Sequence, residues 1–191
     1  MLQGVTLTCA EQDQRIGEFM NYLITALLLS ASTAFAQVPT IRVGTITGAR
    51  DSEMQMIVDG ITLANKILAT DCYRQFILNA HFTETNDLTQ TEIYDLMKNT
   101  PVVVDIEMYR GGFKANHLDK TVGYETDPYD GVVHMNRYFV NTPEMVADNV
   151  IHEGEGHSLG FHHYGVKATS VPYGTNQAFE ACLFTASPLP L

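Results

Sequence analysis

The stretch that decides the fold is residues 150–164, which read V-I-H-E-G-E-G-H-S-L-G-F-H-H-Y. Four of the seven histidines fall within twelve residues here, together with Glu153 and Glu155. Neutral imidazole nitrogens are good zinc ligands, and a catalytic zinc site keeps three protein ligands and one open position. A carboxylate beside that position can act as a general base. The stretch therefore predicts a zinc site with a neighbouring base.

His152 and His157 are the preferred pair of ligands, although they lie five residues apart. At about 100° per residue, five residues turn about 140° around an α-helix, so the two rings would not reach one metal. A single π-bulge returns them to a common face, and the two glycines between them ease its formation. The alternative pair, Glu153 and His157, is four residues apart and leaves Glu155 as the base. The suitability of imidazole for zinc favours the two histidines.

The rest of the chain alternates between strand and helix patterns. Apolar, β-branched runs predict strands at residues 41–46, 76–82, 101–108 and 132–140. Helices are predicted from the N-cap Ser52 to residue 68, over residues 91–99, and from the N-cap Thr142 through Pro143 into the histidines. Residues 110–131 are predicted as a loop with an edge strand near 121–125. This order predicts an α/β (α+β) domain, in which a mixed twisted sheet carries a backing helix and an active-site helix.

An apolar run precedes these elements. Residues 22–36 read YLITALLLSASTAFA and end in the small-x-small pattern Ala34-Phe35-Ala36, which is typical of a secretory signal. We predict a signal peptide over residues 20–36, an upstream extension over 1–19, and one mature domain over 37–191. The alternative is a buried N-terminal helix. Because a membrane span needs roughly 20 apolar residues, no stable membrane anchor is expected, and the predicted location is secreted or periplasmic.

Composition limits the possible partners of this chain. Its 191 residues carry 11 basic and 22 acidic side chains, a net charge of −11, which disfavours binding to nucleic acid or to an anionic membrane. With 45% apolar and 17% charged residues, the chain can bury a core. Cys72 and Cys182 form an even pair after Cys9 is removed with the leader, so export predicts a disulfide between them. The alternative is two separate buried thiols.

A resemblance to a known family rests on residues 157–163, H-S-L-G-F-H-H. They match HxxGxxH, the second half of the motif HExxHxxGxxH of the metzincin zinc peptidases, and the order of strands over residues 41–175 is also similar to the minimal metzincin domain. In that motif the glycine turns the chain, and its frame selects His163 over His162 as the third ligand. The inserted residue makes the first half HExxxH, which fits the HExxGH form of the dipeptidyl peptidase III family. The resemblance implies Zn²⁺ on His152, His157 and His163, with Glu153 as the base.

Metzincins also place a methionine beneath the zinc after the third histidine, and some members follow it with a tyrosine. The matching residues 170–174 read S-V-P-Y-G, and no methionine follows Met145. Pro172 takes the place of the methionine and is expected to form a tight turn, while Tyr173 takes the place of the tyrosine as an oxyanion donor. The resemblance further implies a monomer that binds an extended peptide along an edge strand within residues 119–127.

Two functions therefore remain open. The first is a secreted zinc metalloendopeptidase, in which a zinc-bound water attacks the peptide bond with Glu153 as general base. The second is a catalytically inactive, exported zinc-binding or recognition module of the same fold. An incidental, exposed histidine cluster is the simplest alternative to both. The other histidines, His81, His117 and His134, are predicted to be ordinary strand or loop residues.

Overall fold

The computed structural model describes residues 38–112, 123–124, 131–163 and 169–186. In chain order its elements are β1 (Ile41–Thr47), α1 (Asp51–Leu68), α2 (Asp71–Asn79), α3 (Gln90–Asn99), β2 (Val102–Tyr109), β3 (Gly123–Tyr124), β4 (Val132–Asn136), α4 (Pro143–Val150), a π-helical turn (Ile151–Gly156), a 3₁₀ turn (His157–Leu159) and α5 (Val171–Ala186). The predicted α/β class is confirmed. The predicted upstream extension and signal peptide lie outside the described residues, and the single domain over 37–191 stays a prediction.

The sheet has the strand order β1-β2-β4-β3. β1, β2 and β4 are parallel, with Ile41 opposite Val102 and Asp105 opposite Val132. The short strand β3 runs antiparallel to β4 at the edge, with Gly123 opposite Met135. This confirms both the mixed sheet and the edge strand predicted near residues 121–125. Most of the peptide-binding segment predicted at 119–127 lies outside the described residues.

The core fills one face of this sheet. Alternate residues of β2 are buried there, and they are Val102, Val104, Ile106 and Met108. α1 presents an apolar stripe at helical spacing, made of Ile57, Ala64, Ile67 and Leu68. The π-helical turn packs directly on the sheet, where Gly154 lies against the side chains of Val102 and Val104. The sheet therefore supports the segment that carries the histidine cluster.

The strand predicted at residues 76–82 is wrong, because residues 71–79 form helix α2. Its N-cap is Thr70, whose hydroxyl oxygen accepts a hydrogen bond of 3.1 Å from the backbone N–H of Tyr73. Tyr73 and Ile77, four residues apart, point into the core together. The short apolar run at Phe76 could not distinguish a strand from a buried helix, and the N-cap decides between them.

Other boundaries also differ from the predictions. α1 begins at Asp51 rather than after Ser52, because the carboxylate of Glu53 accepts a 2.8 Å hydrogen bond from the backbone N–H of Arg50. β4 ends at Asn136 rather than at residue 140, since the carbonyl of Asn136 accepts from the N–H of Val140 at 2.9 Å and closes a turn. Residues 170–174 do not form an isolated turn, because they lead into α5, which the sequence did not predict.

A disulfide joins Cys72 on α2 to Cys182 on α5, with a Cα–Cα distance of 5.7 Å. The predicted bridge is thereby confirmed, and it ties the last helix to the second. A disulfide of this kind indicates a non-reducing compartment. In the part of the chain that the structure describes, none of the helices combines the length and apolar character needed to cross a membrane.

Candidate metal centre

The π-helical turn brings His152 and His157 to the same side of the chain. α4 continues into Ile151–Gly156 without a break, but its hydrogen bonding changes to the π pattern. The two imidazole rings, although five residues apart, lie with their centroids 5.2 Å from each other. Because a π turn closes from i to i+5, it places residues with this spacing on a common face. The prediction of a π-bulge at this place is confirmed.

Two glycines shape the path to the third histidine. A Cβ on Gly156 would lie 2.8 Å from the Cβ of Pro172, so only glycine lets the π-helical turn approach the start of α5 this closely. Gly160 ends the 3₁₀ turn in the left-handed conformation, with φ +84°, which suits glycine. The chain then reverses, and the ring of His163 comes to 4.9 Å from that of His157.

The three predicted ligands come together in a cluster that can hold a metal ion. The ligand nitrogens of His152, His157 and His163 all lie within 4.8 Å of one another. Tetrahedral zinc with bonds of about 2.0–2.1 Å needs nitrogens about 3.4 Å apart, so small side-chain rotations suffice to close the site. His162 is not a member of this cluster, and its ring centroid lies 6.2 Å from that of His157.

In two of these rings, a hydrogen bond fixes the nitrogen that would face away from a bound metal. Nδ1 of His157 lies 2.8 Å from the carbonyl oxygen of Phe161 in a buried position. Because a carbonyl only accepts, Nδ1 carries the proton and donates it, which leaves the lone pair on Nε2 for a metal. Nδ1 of His152 is in the same way hydrogen-bonded to Oδ1 of Asn176. Both rings thus present Nε2, which is the arrangement that metal-binding histidines adopt.

The protonation state of His157 also suits a ligand. Burial, followed by the proximity of His152, lowers the pKa of His157 from 6.5 to about 4. The side chain is only 5% exposed, so a positive charge there would be poorly solvated. The ring is therefore neutral at physiological pH, as metal coordination requires.

The two glutamates of the π-helical turn have different surroundings. Oε2 of Glu153 lies 3.9 Å from Nε2 of His157, on the metal-facing side of that ring. Glu155 is fully buried, and burial raises its pKa well above the ordinary value. Within the described residues, neither the carboxyl oxygens of Glu155 nor the hydroxyl of Tyr73 has a hydrogen-bond partner. This arrangement disfavours the alternative in which Glu155 is the base.

Tyr173 lies beside the histidine cluster, on the first turn of α5. Its ring centroid is 4.9 Å from that of His152 and 5.1 Å from that of His163. The other histidines are placed elsewhere: His134 pairs with Glu107 across the sheet at 2.7 Å, His81 is exposed, and His117 lies outside the described residues.

Asn176 and Asp148 were not identified from the sequence. The amide of Asn176 donates to the backbone carbonyl of Asp148 at 3.2 Å and to its carboxylate as well. A signal for both was present, because Asn176 follows Tyr173 by three residues and Asp148 precedes His152 by four. These spacings put each residue on the same helical face as a residue already assigned to the site.

A clamp formed by residues 83–86 binds the chain at Gly160 and at Thr169, on either side of His163. At one end, the backbone N–H of Thr83 donates to the carbonyl of Thr169 at 3.0 Å, and the two threonine hydroxyls are 2.8 Å apart. At the other end, the amide of Asn86 donates to the carbonyl of Gly160 at 2.9 Å. This clamp was not predicted, because the strand assigned to residues 76–82 hid the loop that follows α2.

The chain was compared with protein-family models, with curated proteins and with solved structures, and none of the three comparisons found a match. The assignment of this site therefore rests on its geometry and chemistry.

Proposed function

We propose that the chain is an exported zinc metallopeptidase of metzincin type. One observation carries the proposal. Two histidines five residues apart are brought together by a π-helical turn, and a third histidine returns to them through the left-handed Gly160. Such bulges are frequent at functional sites, and regular α-helical packing would not require one here. The local fold therefore departs from a regular helix at the point where a metal site benefits from it.

The donor set favours zinc in a catalytic role. Three neutral imidazoles suit Zn²⁺, and also Cu²⁺ or Ni²⁺ when these are available. Structural zinc sites have four protein ligands, whereas catalytic sites have three and keep one position open. The cluster of His152, His157 and His163 offers three. When bound, zinc acts as a Lewis acid that polarises both a water molecule and the scissile carbonyl.

Glu153 is the proposed general base. Its carboxylate oxygen, 3.9 Å from Nε2 of His157, is within reach of a water beside the three ring nitrogens. Glu153 takes the proton from that water at Oε2 and then passes it to the leaving amine nitrogen. The position of Glu155 argues against the same role for it, because its side chain is buried in the core next to Tyr73.

Tyr173 is the proposed oxyanion donor. Its ring lies against those of His152 and His163, so its hydroxyl would be available to the carbonyl oxygen of a peptide bound beside them. A hydrogen-bond donor that interacts with the carbonyl oxygen mainly as negative charge develops on it lowers the free energy of the transition state more than that of the ground state. The substrate is an extended peptide or an unfolded protein, the enzyme acts as a monomer, and the disulfide supports a secreted or periplasmic location.

The non-catalytic zinc-binding module remains the second candidate. The feature that favours it is Pro172, which packs beneath Gly156 where metzincins carry a methionine. α5 starts at that point, so the floor of the site differs from the arrangement that the resemblance implies. This candidate predicts zinc binding without hydrolysis.

The test compares three variants for zinc content and for hydrolysis of casein. Glu153→Gln should keep one zinc and lose about 10²–10⁴-fold in turnover, because glutamine keeps the shape of the side chain but cannot accept a proton. His157→Ala should lose both zinc and turnover, since a ligand is removed. Glu155→Gln is the matched control in the same turn and should keep near-normal turnover.

Each outcome decides between the proposals. Zinc bound by the wild type without any chelator-sensitive hydrolysis would support the binding module. Loss of hydrolysis in Glu155→Gln, together with loss of zinc from Glu153→Gln, would indicate that Glu153 is a metal ligand and Glu155 the general base. A wild type that binds no zinc would overturn the metal site itself.

A further inference from the structure

A polar chain behind the histidine cluster links three side chains from two helical segments. Nδ1 of His152 contacts Oδ1 of Asn176, and the amide nitrogen of Asn176 donates to both the carboxylate and the backbone carbonyl of Asp148. Asp148 lies on α4, one turn before His152, whereas Asn176 comes from α5. The contact therefore ties α5 to the segment that carries the proposed ligands.

The amide group is well suited to this place. It must accept a hydrogen bond from the imidazole N–H and at the same time donate to Asp148, and an amide offers one acceptor and two donor hydrogens. Asp148 fixes the orientation of the amide, because turning it over would point its oxygen at a carboxylate and a carbonyl. With the oxygen of Asn176 facing His152, only the tautomer that carries the proton on Nδ1 satisfies the contact.

We propose that Asn176, oriented by Asp148, is a positioning residue that holds the ring of His152 with Nε2 directed at the metal. The inference rests on the metal site of the proposed function and extends it from the ligands to the groups behind them. His157 needs no such residue, because the carbonyl of Phe161 holds its Nδ1–H at 2.8 Å. For His152, α5 supplies the acceptor from 24 residues further along the chain.

The effect on metal binding should be measurable. Mutation of a group that orients a metal-bound histidine costs about 10- to 100-fold in affinity. Asn176→Leu keeps a similar shape and removes all three hydrogen bonds of the amide group, so its zinc affinity should fall by about that factor. Gln177→Leu makes the same kind of change at the next, exposed position and should leave the affinity within about threefold of wild type, since substitutions at exposed positions usually have small effects.

An exchange variant tests the direction of the hydrogen bonds. Asp148→Asn combined with Asn176→Asp puts the carboxylate next to His152 and the amide behind it, so an acceptor for the Nδ1–H is kept. The exchange variant should recover most of the affinity that Asn176→Leu loses. A residue that only fills space would show no such recovery, because the leucine already fills it.

Two readouts keep this test separate from the test of the proposed function. Competition with a chromophoric chelator gives the zinc affinity, and ¹⁵N–¹H NMR of the imidazoles gives the tautomer of His152 in metal-free protein. Wild type and exchange variant should carry the proton on Nδ1, whereas Asn176→Leu should populate both tautomers. Loss of peptide hydrolysis plays no part in either measurement.

The inference is overturned if Asn176→Leu binds zinc as tightly as wild type and keeps its His152 tautomer. It is also overturned if the exchange variant folds, as judged by urea unfolding, and still binds as weakly as Asn176→Leu. A wild type that binds no zinc would defeat the proposed function, and the NMR tautomer would then still decide whether Asn176 orients the ring.

Discussion

Removal of the Cys72–Cys182 disulfide should cost a large part of the stability of this domain. The bridge closes a loop of 110 residues between α2 and α5. A loop of that length lowers the chain entropy of the unfolded state by about 16 cal/mol/K, which corresponds to about 5 kcal/mol at 25 °C. Because whole domains are stable by only about 5–15 kcal/mol, the reduced protein should unfold at a much lower urea concentration.

Urea unfolding followed by circular dichroism measures this effect in three samples. They are the oxidised wild type, the wild type reduced with a phosphine, and the double variant Cys72→Ala with Cys182→Ala. Reduction leaves both sulfur atoms in place, so the difference between the reduced wild type and the double variant reports the packing of the buried Cys182. Both should lose about 4–5 kcal/mol relative to the oxidised protein, in line with the loop length.

The slope of the unfolding curve provides an internal check. An unfolded chain without the cross-link is more extended, so the m-value should rise when the bridge is removed. A loss below about 1 kcal/mol with an unchanged m-value would refute the reasoning, because the bridge would then not restrict the unfolded state. A larger loss in the double variant alone would assign the effect to packing and not to chain entropy.

Three further predictions concern the candidate metal centre. In metal-free protein, the free energy of unfolding of wild type relative to that of His157→Gln should fall by about 3 kcal/mol between pH 6.5 and 4, as measured by urea unfolding of both, because the lowered pKa of His157 means that only the unfolded state takes up a proton on this side chain there. Glu155→Gln should be more stable than wild type at pH 8 but not at pH 4. Burial raises the pKa of Glu155 in the folded state, so the free energy of unfolding of wild type falls as rising pH ionises this carboxyl group in the unfolded state first. Asn86→Asp removes the amide donor from the clamp on the loop of His163 and should weaken zinc binding about fivefold, the equivalent of one hydrogen bond of about 1 kcal/mol, whereas Asp87→Asn should not.

The parts of the structure that could be predicted are those specified by local pattern. Pro143 after the cap Thr142 marked the start of α4, and the side-chain oxygen of Thr142 accepts from the N–H of Met145 as expected. The five-residue spacing of His152 and His157 required a π turn if both were to reach one metal, and the turn is present. In these cases a few neighbouring residues contain the whole physical argument.

The parts that could not be predicted depend on contacts between distant residues. The clamp joins Thr83 to Thr169 over 86 residues, and the orientation of His152 depends on Asn176, 24 residues away. The first contact leaves no periodic pattern in the sequence, and for the second the spacing from Tyr173 marks the helical face of Asn176 but not its partner. α2 was missed for a related reason, since the N-cap Thr70 and the burial of Tyr73 decide its structure, while the apolar run after them is ambiguous.

The five-residue spacing of His152 and His157 is easier to explain as part of a metal site than as a chance arrangement. In a regular α-helix, one extra residue would rotate everything after it by about 100° and carry His157 away from His152. The π turn absorbs this rotation within six residues, so that Gly160 still reverses the chain and His163 still returns to the cluster. A π turn lacks the regular hydrogen bonding of an α-helix, and it persists where the surrounding packing supports it. Here the close approach of Gly156 to Pro172 is such packing. The π turn thus lies at the place where it keeps three imidazoles together.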